Sequence, residues 1–234
     1  MSLKIKNIKK KKNKIKIVCL TAYSKNIAKI LDKYCDITLV GDSLANVLYG
    51  MENTHNLTLK TMLQHSISVR KSVKKSLMVV DMPKGTYKSP DQAKKNAKII
   101  KKTTNCDAVK IESNNKNFKI IREITKANIP VMGHIGYTPQ FKKRFKVEGS
   151  NNNEIRRLIK EAISIEKAGA FSIVLECITP STAKLITKLL KIPTIGIGSS
   201  KYCDGQILVT DDILGLTESK MKFIKKYVDV KKLI

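Results

Sequence analysis

Tryptophan is absent from this 234-residue chain, and aromatic side chains make up only 5% of it. A core must therefore be assembled from Ile, Leu, Val and Ala, and the surface has few rings on which nucleic-acid bases could stack. Arginine is almost as scarce: five (70, 122, 144, 156 and 157) stand beside 41 lysines. The formal net charge of +27 invites a nucleic-acid reading. Readout of phosphates and guanine edges favours the guanidinium fork over the ammonium point charge, so nucleic-acid binding is not expected as the main function. Lys, Asn and Ile, all abundant here, share A/T-rich codons, which accounts for the bias without a binding role. No apolar run approaches the ~20 residues of a membrane span, and no apolar signal segment opens the chain. The five cysteines (19, 35, 106, 177 and 203) form no C-x-x-C pair and are odd in number. The expectation is a cytoplasmic protein with reduced thiols, without disulfides, zinc or a membrane partner.

What is present is a repeated pattern. Short apolar runs recur at 17–20, 37–40, 77–80, 108–111, 130–133, 172–175, 193–198 and 206–209. Between them lie helical patterns. "SPDQAKKNAKII" (89–100) starts with Ser89 as N-cap, Pro90 at the first helical position and Gln92 placed for a capping box. "NEIRRLIKEAISIEKAG" (153–169) puts Ile155, Leu158, Ile159, Ala162 and Ile163 on one stripe and stops at Gly169. "TPSTAKLITKLL" (179–190) repeats the cap-then-Pro start and places Leu185, Ile186 and Leu189 on one face. Near-continuous apolar strands alternating with amphipathic helices imply a parallel sheet covered by helices. Eight strand–helix units suit a (β/α)8 barrel, with a doubly wound open sheet as the alternative. No linker divides the chain. The reading is one catalytic domain over 17–234, preceded by a basic arm over 1–16 whose run "KIKNIKKKKNKIK" carries eight lysines and is expected to be solvated.

In such barrels chemistry gathers at the C-terminal strand ends. Those ends carry Asp42 and Ser43, then Asp81, then Lys110 and Glu112, then His134, then Glu176. One such residue is normally a turn or a cap, but five strand ends in succession point to a shared site. Several carboxylates, one His and no Cys cluster suit a hard, oxygen-preferring cation such as Mg²⁺. A cation and a Lys beside further carboxylates suit enolisation of a 2-oxo acid, with a Glu taking the α-carbon proton. There is no Walker A loop and no dinucleotide fingerprint, and "GIGSS" (196–200) is a Gly-rich stretch of low specificity.

"TAYS" (21–24), "VGDSLANVLYG" (40–50), "VVDMP" (79–83), "VKIE" (109–112), "GHIGYTPQ" (133–140), "VLEC" (174–177), "IPTIGIGSS" (192–200) and "CDGQILVTDDILGL" (203–216) together resemble the ketopantoate hydroxymethyltransferase family, in order and spacing, over roughly residues 17 to 232. The resemblance implies a (β/α)8 barrel that uses Mg²⁺ and 5,10-methylenetetrahydrofolate to hydroxymethylate 3-methyl-2-oxobutanoate through an enolate, giving 2-dehydropantoate in pantothenate synthesis. It implies metal-binding roles for Asp42 and Asp81, with Glu112 as the acidic residue at the metal. Ser43 and Lys110 match positions that hold the 2-oxo acid, Glu176 matches the general base, and His134 lines the same pocket. A homo-oligomer, typically a decamer, is implied as well.

The chain departs from the family pattern in four places. Ser24 stands where Asp usually follows "TAY", Ala45 replaces the usual Gly after "GDSL", and the stretch 141–145 is a few residues short. The chain ends at "VDVKKLI", without the final Pro and "EH" pair, so an altered rim closure and turnover are expected. A related Mg²⁺-dependent carbon–carbon lyase is the alternative enzyme, and it would need a reactive "KxCGH"-like loop that is not found. His55 and His65 read as structural, Tyr23 as packing, Cys177 as a small buried residue, and Lys201, Asp204 and Asp211 as turn and cap residues.

Overall fold

A computed structural model describes residues 2–114, 118–142, 144–218 and 221–234. After a helix α1 (Leu3–Lys10), strand β1 (Ile17–Thr21) leads to α2 (Lys25–Leu31), β2 (Ile37–Val40), a one-turn α3 (Leu44–Val47) and α4 (Leu59–Arg70). Then come β3 (Leu77–Asp81), α5 (Pro90–Thr104), β4 (Ala108–Glu112), α6 (Phe118–Lys126), β5 (Val131–Gly136) and α7 (Asn152–Lys167). The chain continues through β6 (Ser172–Glu176), α8 (Pro180–Leu189), β7 (Thr194–Ile197), β8 (Gly205–Leu208) and a one-turn α9 (Thr210–Ile213). All eight expected strands form, each parallel to the next, and β8 pairs with β1 to close the barrel. The open-sheet alternative is thereby excluded. One unit is incomplete: residues 198–204 join β7 to β8 through turns, with no helix.

The barrel interior is filled by Cys19, Ile37, Leu39, Leu77, Val79, Met132, Val174, Ile195 and Ile207, while a larger apolar cluster lies between sheet and helices. Local signals act largely as expected. Ser89 accepts the amide of Gln92, with Pro90 at the first position of α5. The Gln92 side chain reaches one residue further out than a capping box requires and accepts from Lys88 N. Thr179 does not cap α8; its hydroxyl donates to the Gly149 carbonyl. On α8 only Ile186 of the expected face is buried, together with Thr182, Ala183 and Thr187, and Leu185 and Leu189 stay largely exposed.

The expected solvated arm is the clearest departure. Residues 3–10 form a helix that buries Ile5 and Ile8 against the barrel interior, at the end where the strands begin. Two such side chains contribute roughly 1.5–3 kcal/mol each through burial. The lysines of the run dock on the strand entrances. Lys4 Nζ donates to Ser76 O (2.8 Å), Lys11 Nζ to Asp36 (2.5 Å), Lys12 Nζ to Asp204 (2.8 Å), and Lys16 Nζ to Cys203 O (2.6 Å). Asp204, expected to be a turn residue, is a buried anchor that also accepts the amides of Asn13 and Thr194.

Candidate active site

At the opposite end, where the strands finish, strand register decides which side chains meet. Asp81 pairs with Lys110, Glu112 with His134, and Gly136 with Glu176. Lys110 and Glu112, two apart on β4, therefore point to the same side of the sheet. Lys110 Nζ donates to Asp81 Oδ1 at 2.7 Å, and both side chains are buried. Beyond β2 the chain turns at Gly41, where a Cβ would come within 2.9 Å of Ser43 Oγ and 3.6 Å of Asp81 Oδ2. The glycine thus leaves room for the Ser43 hydroxyl, and the next residue's amide, that of Asp42, donates to Asp81 Oδ2 at 2.9 Å. Gly136 is equally constrained. Its φ is +93°, and a Cβ would sit 2.1 Å from the Glu176 carbonyl oxygen.

His134 stands between two acids, with Nε2 3.1 Å from Glu176 Oε2 and Nδ1 3.8 Å from Glu112 Oε1. Neither ring nitrogen is in line for a hydrogen bond. Burial, and then the Lys110 ammonium, hold the imidazole pKa well below its ordinary value, so the ring is neutral. Burial raises the carboxyls instead. Asp81 is pushed up to about 6 by burial against the pull of Lys110, with Asp42 adding repulsion. Glu176 is pushed up to about 8 by burial, opposed by Lys110 and reinforced by Asp42. Glu112 lies well above its usual range, from burial and then from Asp42. Burial works against the charge on Lys110, yet Asp81, Asp42 and Glu112 outweigh it and raise its pKa. One ammonium thus faces four carboxyls, an arrangement short of positive charge.

All seven residues singled out from the sequence, namely Asp42, Ser43, Asp81, Lys110, Glu112, His134 and Glu176, line one cavity of about 720 Å³. The ligand set expected for a metal is a looser matter. Among the described residues, no three His, Cys, Asp or Glu side chains converge tightly enough to enclose an ion. The donors that are present suit Mg²⁺, a hard cation that binds through one or two carboxylates and keeps several waters. Asp42 and Asp81 stand side by side, and the charge deficit is the kind a divalent cation relieves.

Several site residues escaped the sequence reading. Gln140, buried after β5, donates from its backbone to Glu112 and from its side chain to Asp42. It lies within the motif "GHIGYTPQ", which was the available signal. Tyr23 does more than pack, since its hydroxyl lies 2.8 Å from Ser43 Oγ. His55 lines the cavity while its Nε2 meets the Pro139 carbonyl at 2.9 Å. Met221, Phe223 and Ile224 complete one wall from beyond α9. His65 is structural, bridging Tyr23 O and Tyr49 OH. Cys177 is buried, and burial, then Glu176, pushes its thiol up to about 12, which suits a structural residue better than a nucleophile.

Comparison with known proteins places this geometry in context. Residues 2–234 match the model of a family described as ketopantoate hydroxymethyltransferase. The 3-methyl-2-oxobutanoate hydroxymethyltransferase of Pelagibacter ubique (strain HTCC1062) is 53% identical over 234 residues, covering 100% of this chain and 91% of that protein. The protein of the same name from Anaplasma marginale (strain Florida) is 45% identical, covering 98% and 84%. Among solved structures, a phosphonopyruvate hydrolase in complex with oxalate and Mg²⁺ superposes with a TM-score of 0.66 at 11% identity, covering 84% of this chain and 72% of that one. At that identity the likeness is one of fold.

Proposed function

The chain belongs to the ketopantoate hydroxymethyltransferase family, and from that premise we propose that it converts 3-methyl-2-oxobutanoate to 2-dehydropantoate, with 5,10-methylenetetrahydrofolate as one-carbon donor and Mg²⁺ as resident cation. The observation that carries the reading is the cavity itself, in which Glu176 and neutral His134 face the Asp42–Asp81–Lys110 cluster. Asp42 and Asp81 hold the cation, with Glu112 beside them, and the cation supplies positive charge at the keto oxygen when bound. Lys110 and Ser43 hold the 2-oxo acid, the ammonium meeting the substrate carboxylate and Tyr23 fixing the Ser43 hydroxyl. Glu176 accepts the C3 proton, leaving the electron pair delocalised onto the keto oxygen as an enolate. His134, neutral and with Nε2 3.1 Å from Glu176 Oε2, lies within reach of the proton on Glu176.

The enolate carbon then attacks the one-carbon unit of the folate. A carbon–carbon bond forms, both bonds from that one-carbon unit to the folate nitrogens break, and water supplies the hydroxyl oxygen. The proton taken up by Glu176 and the two from water end on the two nitrogens and the new hydroxyl, releasing tetrahydrofolate. The family likeness also supports a homo-oligomer, a decamer by analogy, working in the cytoplasm. No helix among the described residues is long and apolar enough to cross a membrane. A direct test separates the two half-reactions. With Mg²⁺ in D₂O, the protein exchanges the C3 proton of 3-methyl-2-oxobutanoate without folate, and forms product only when the folate is added. Exchange that is insensitive to EDTA, or no product with folate, refutes the assignment.

A further inference from the structure

Gln140 is 1% exposed, and its backbone N–H and both ends of its side-chain amide are hydrogen-bonded. Its backbone N–H donates to Glu112 Oε2 (2.9 Å). Its Nε2 donates to Asp42 Oδ2 (2.8 Å) and to the Met82 carbonyl (3.1 Å), and its Oε1 accepts from the Tyr87 hydroxyl. Chemistry fixes the orientation of the amide. The Met82 carbonyl can only accept, so it requires the NH₂ edge, which leaves Oε1 for the phenol. One side chain thus spans the ends of β2 and β3 and the loop before α5, while the backbone of the same residue holds the end of β4. With Oδ2 of Asp42 tied in this way, the other oxygen of that carboxylate accepts no hydrogen bond among the described residues, and Asp42 lines the cavity.

We propose that Gln140 is a positioning residue that orients Asp42 and Glu112 toward the cation, so that the affinity of the site for a divalent metal is set partly by a residue that does not touch it. The proposal rests on the assignment of Asp42 and Asp81 as cation holders. Groups bonded behind metal-ligating side chains fix ligand orientation, and their loss typically costs ~10–100-fold in metal affinity. A simple staple between loops would affect folding stability and leave that affinity alone.

The test is Mn²⁺ binding to the full chain, followed by loss of the free-ion electron paramagnetic resonance signal, with no substrate and no turnover. Gln140→Met keeps the bulk and the backbone donor to Glu112 but removes both side-chain donors. Its Kd for Mn²⁺ is expected to rise ~10–100-fold, while circular dichroism and the melting curve of the cation-free protein show an intact fold. Gln140→Asn, one methylene too short to reach Asp42, is expected to shift in the same direction and serves if the Met variant does not fold. A folded variant of either kind that binds Mn²⁺ within about twofold of the native protein overturns the proposal. Asp42→Ala separates the two levels. If it loses Mn²⁺ while the Gln140 variants retain it, only the positioning role fails. If it binds Mn²⁺ as the native protein does, the cation assignment beneath the proposal fails too.

Discussion

Replacing Glu176 by Gln should stabilise the cation-free protein while abolishing its chemistry. In the folded chain the carboxyl is pushed from 4.5 to about 8, first by burial. In the unfolded chain it ionises near its ordinary value. The stability contributed by its protonated form is therefore fully present below about pH 4.5 and is lost as pH rises through 8. The interval corresponds to roughly 4–5 kcal/mol of ionisation penalty. The side chain is 17% exposed, and contact with solvent brings the net figure down to ~1–3 kcal/mol. Glutamine has no charge to acquire, so it escapes the penalty. Urea unfolding in EDTA should give equal stabilities near pH 4.5 and an advantage of ~1–3 kcal/mol for Glu176→Gln near pH 8.5, and the gap should narrow when Mg²⁺ is added. The same variant should exchange the C3 proton of 3-methyl-2-oxobutanoate ~10²–10⁴-fold more slowly. Parallel pH–stability curves for the two proteins would refute the argument that burial raises this carboxyl, and native exchange in the variant would place the base elsewhere.

Lys110→Met leaves Asp81 buried without its partner, and should cost ~3–5 kcal/mol at pH 8, with a smaller loss near pH 5 where the carboxyl is protonated; equal losses at both pH values in chemical denaturation would contradict the pairing. Ile5→Ala opens the plug at the bottom of the barrel and should lower stability by ~2–5 kcal/mol while leaving the KM for the 2-oxo acid unchanged. Binding to duplex DNA should be weak, indifferent to sequence and steeply salt-dependent in fluorescence anisotropy, because the lysine excess has no base-reading partners; nanomolar, sequence-selective binding at physiological salt would contradict it.

The strands were legible because parallel strands covered on both faces must be apolar throughout, and each apolar run of the sequence became a strand. The strand-end residues followed from position alone. What remained hidden needed contacts between distant segments. In the first sixteen residues, eight lysines drown the signal of Ile5 and Ile8, three positions apart on one helical face. The burial of those two side chains makes sense only once a barrel bottom exists to receive them. Asp204 sits in a turn by sequence, and its role as anchor depends on Lys12 and Asn13 arriving from the other end of the chain. Gln140 closes a motif that is visible as a string, but nothing local says that its amide will meet Asp42, 98 positions earlier.

That long reach has a consequence for how the protein is made. Of the barrel's strands β1 is the first to leave the ribosome, and one of its two neighbours, β8, is the last. Lys12 waits for a partner 192 positions downstream. At ~5–20 residues per second the nascent chain spends ~10–40 s with β1 unpaired on that edge. Throughout that interval α1 carries Ile5 and Ile8 with no finished socket to accept them. An open, apolar edge is a template for strand addition by another chain. Release of the polypeptide before Gly205 would therefore leave a sticky, unclosed sheet rather than a smaller barrel.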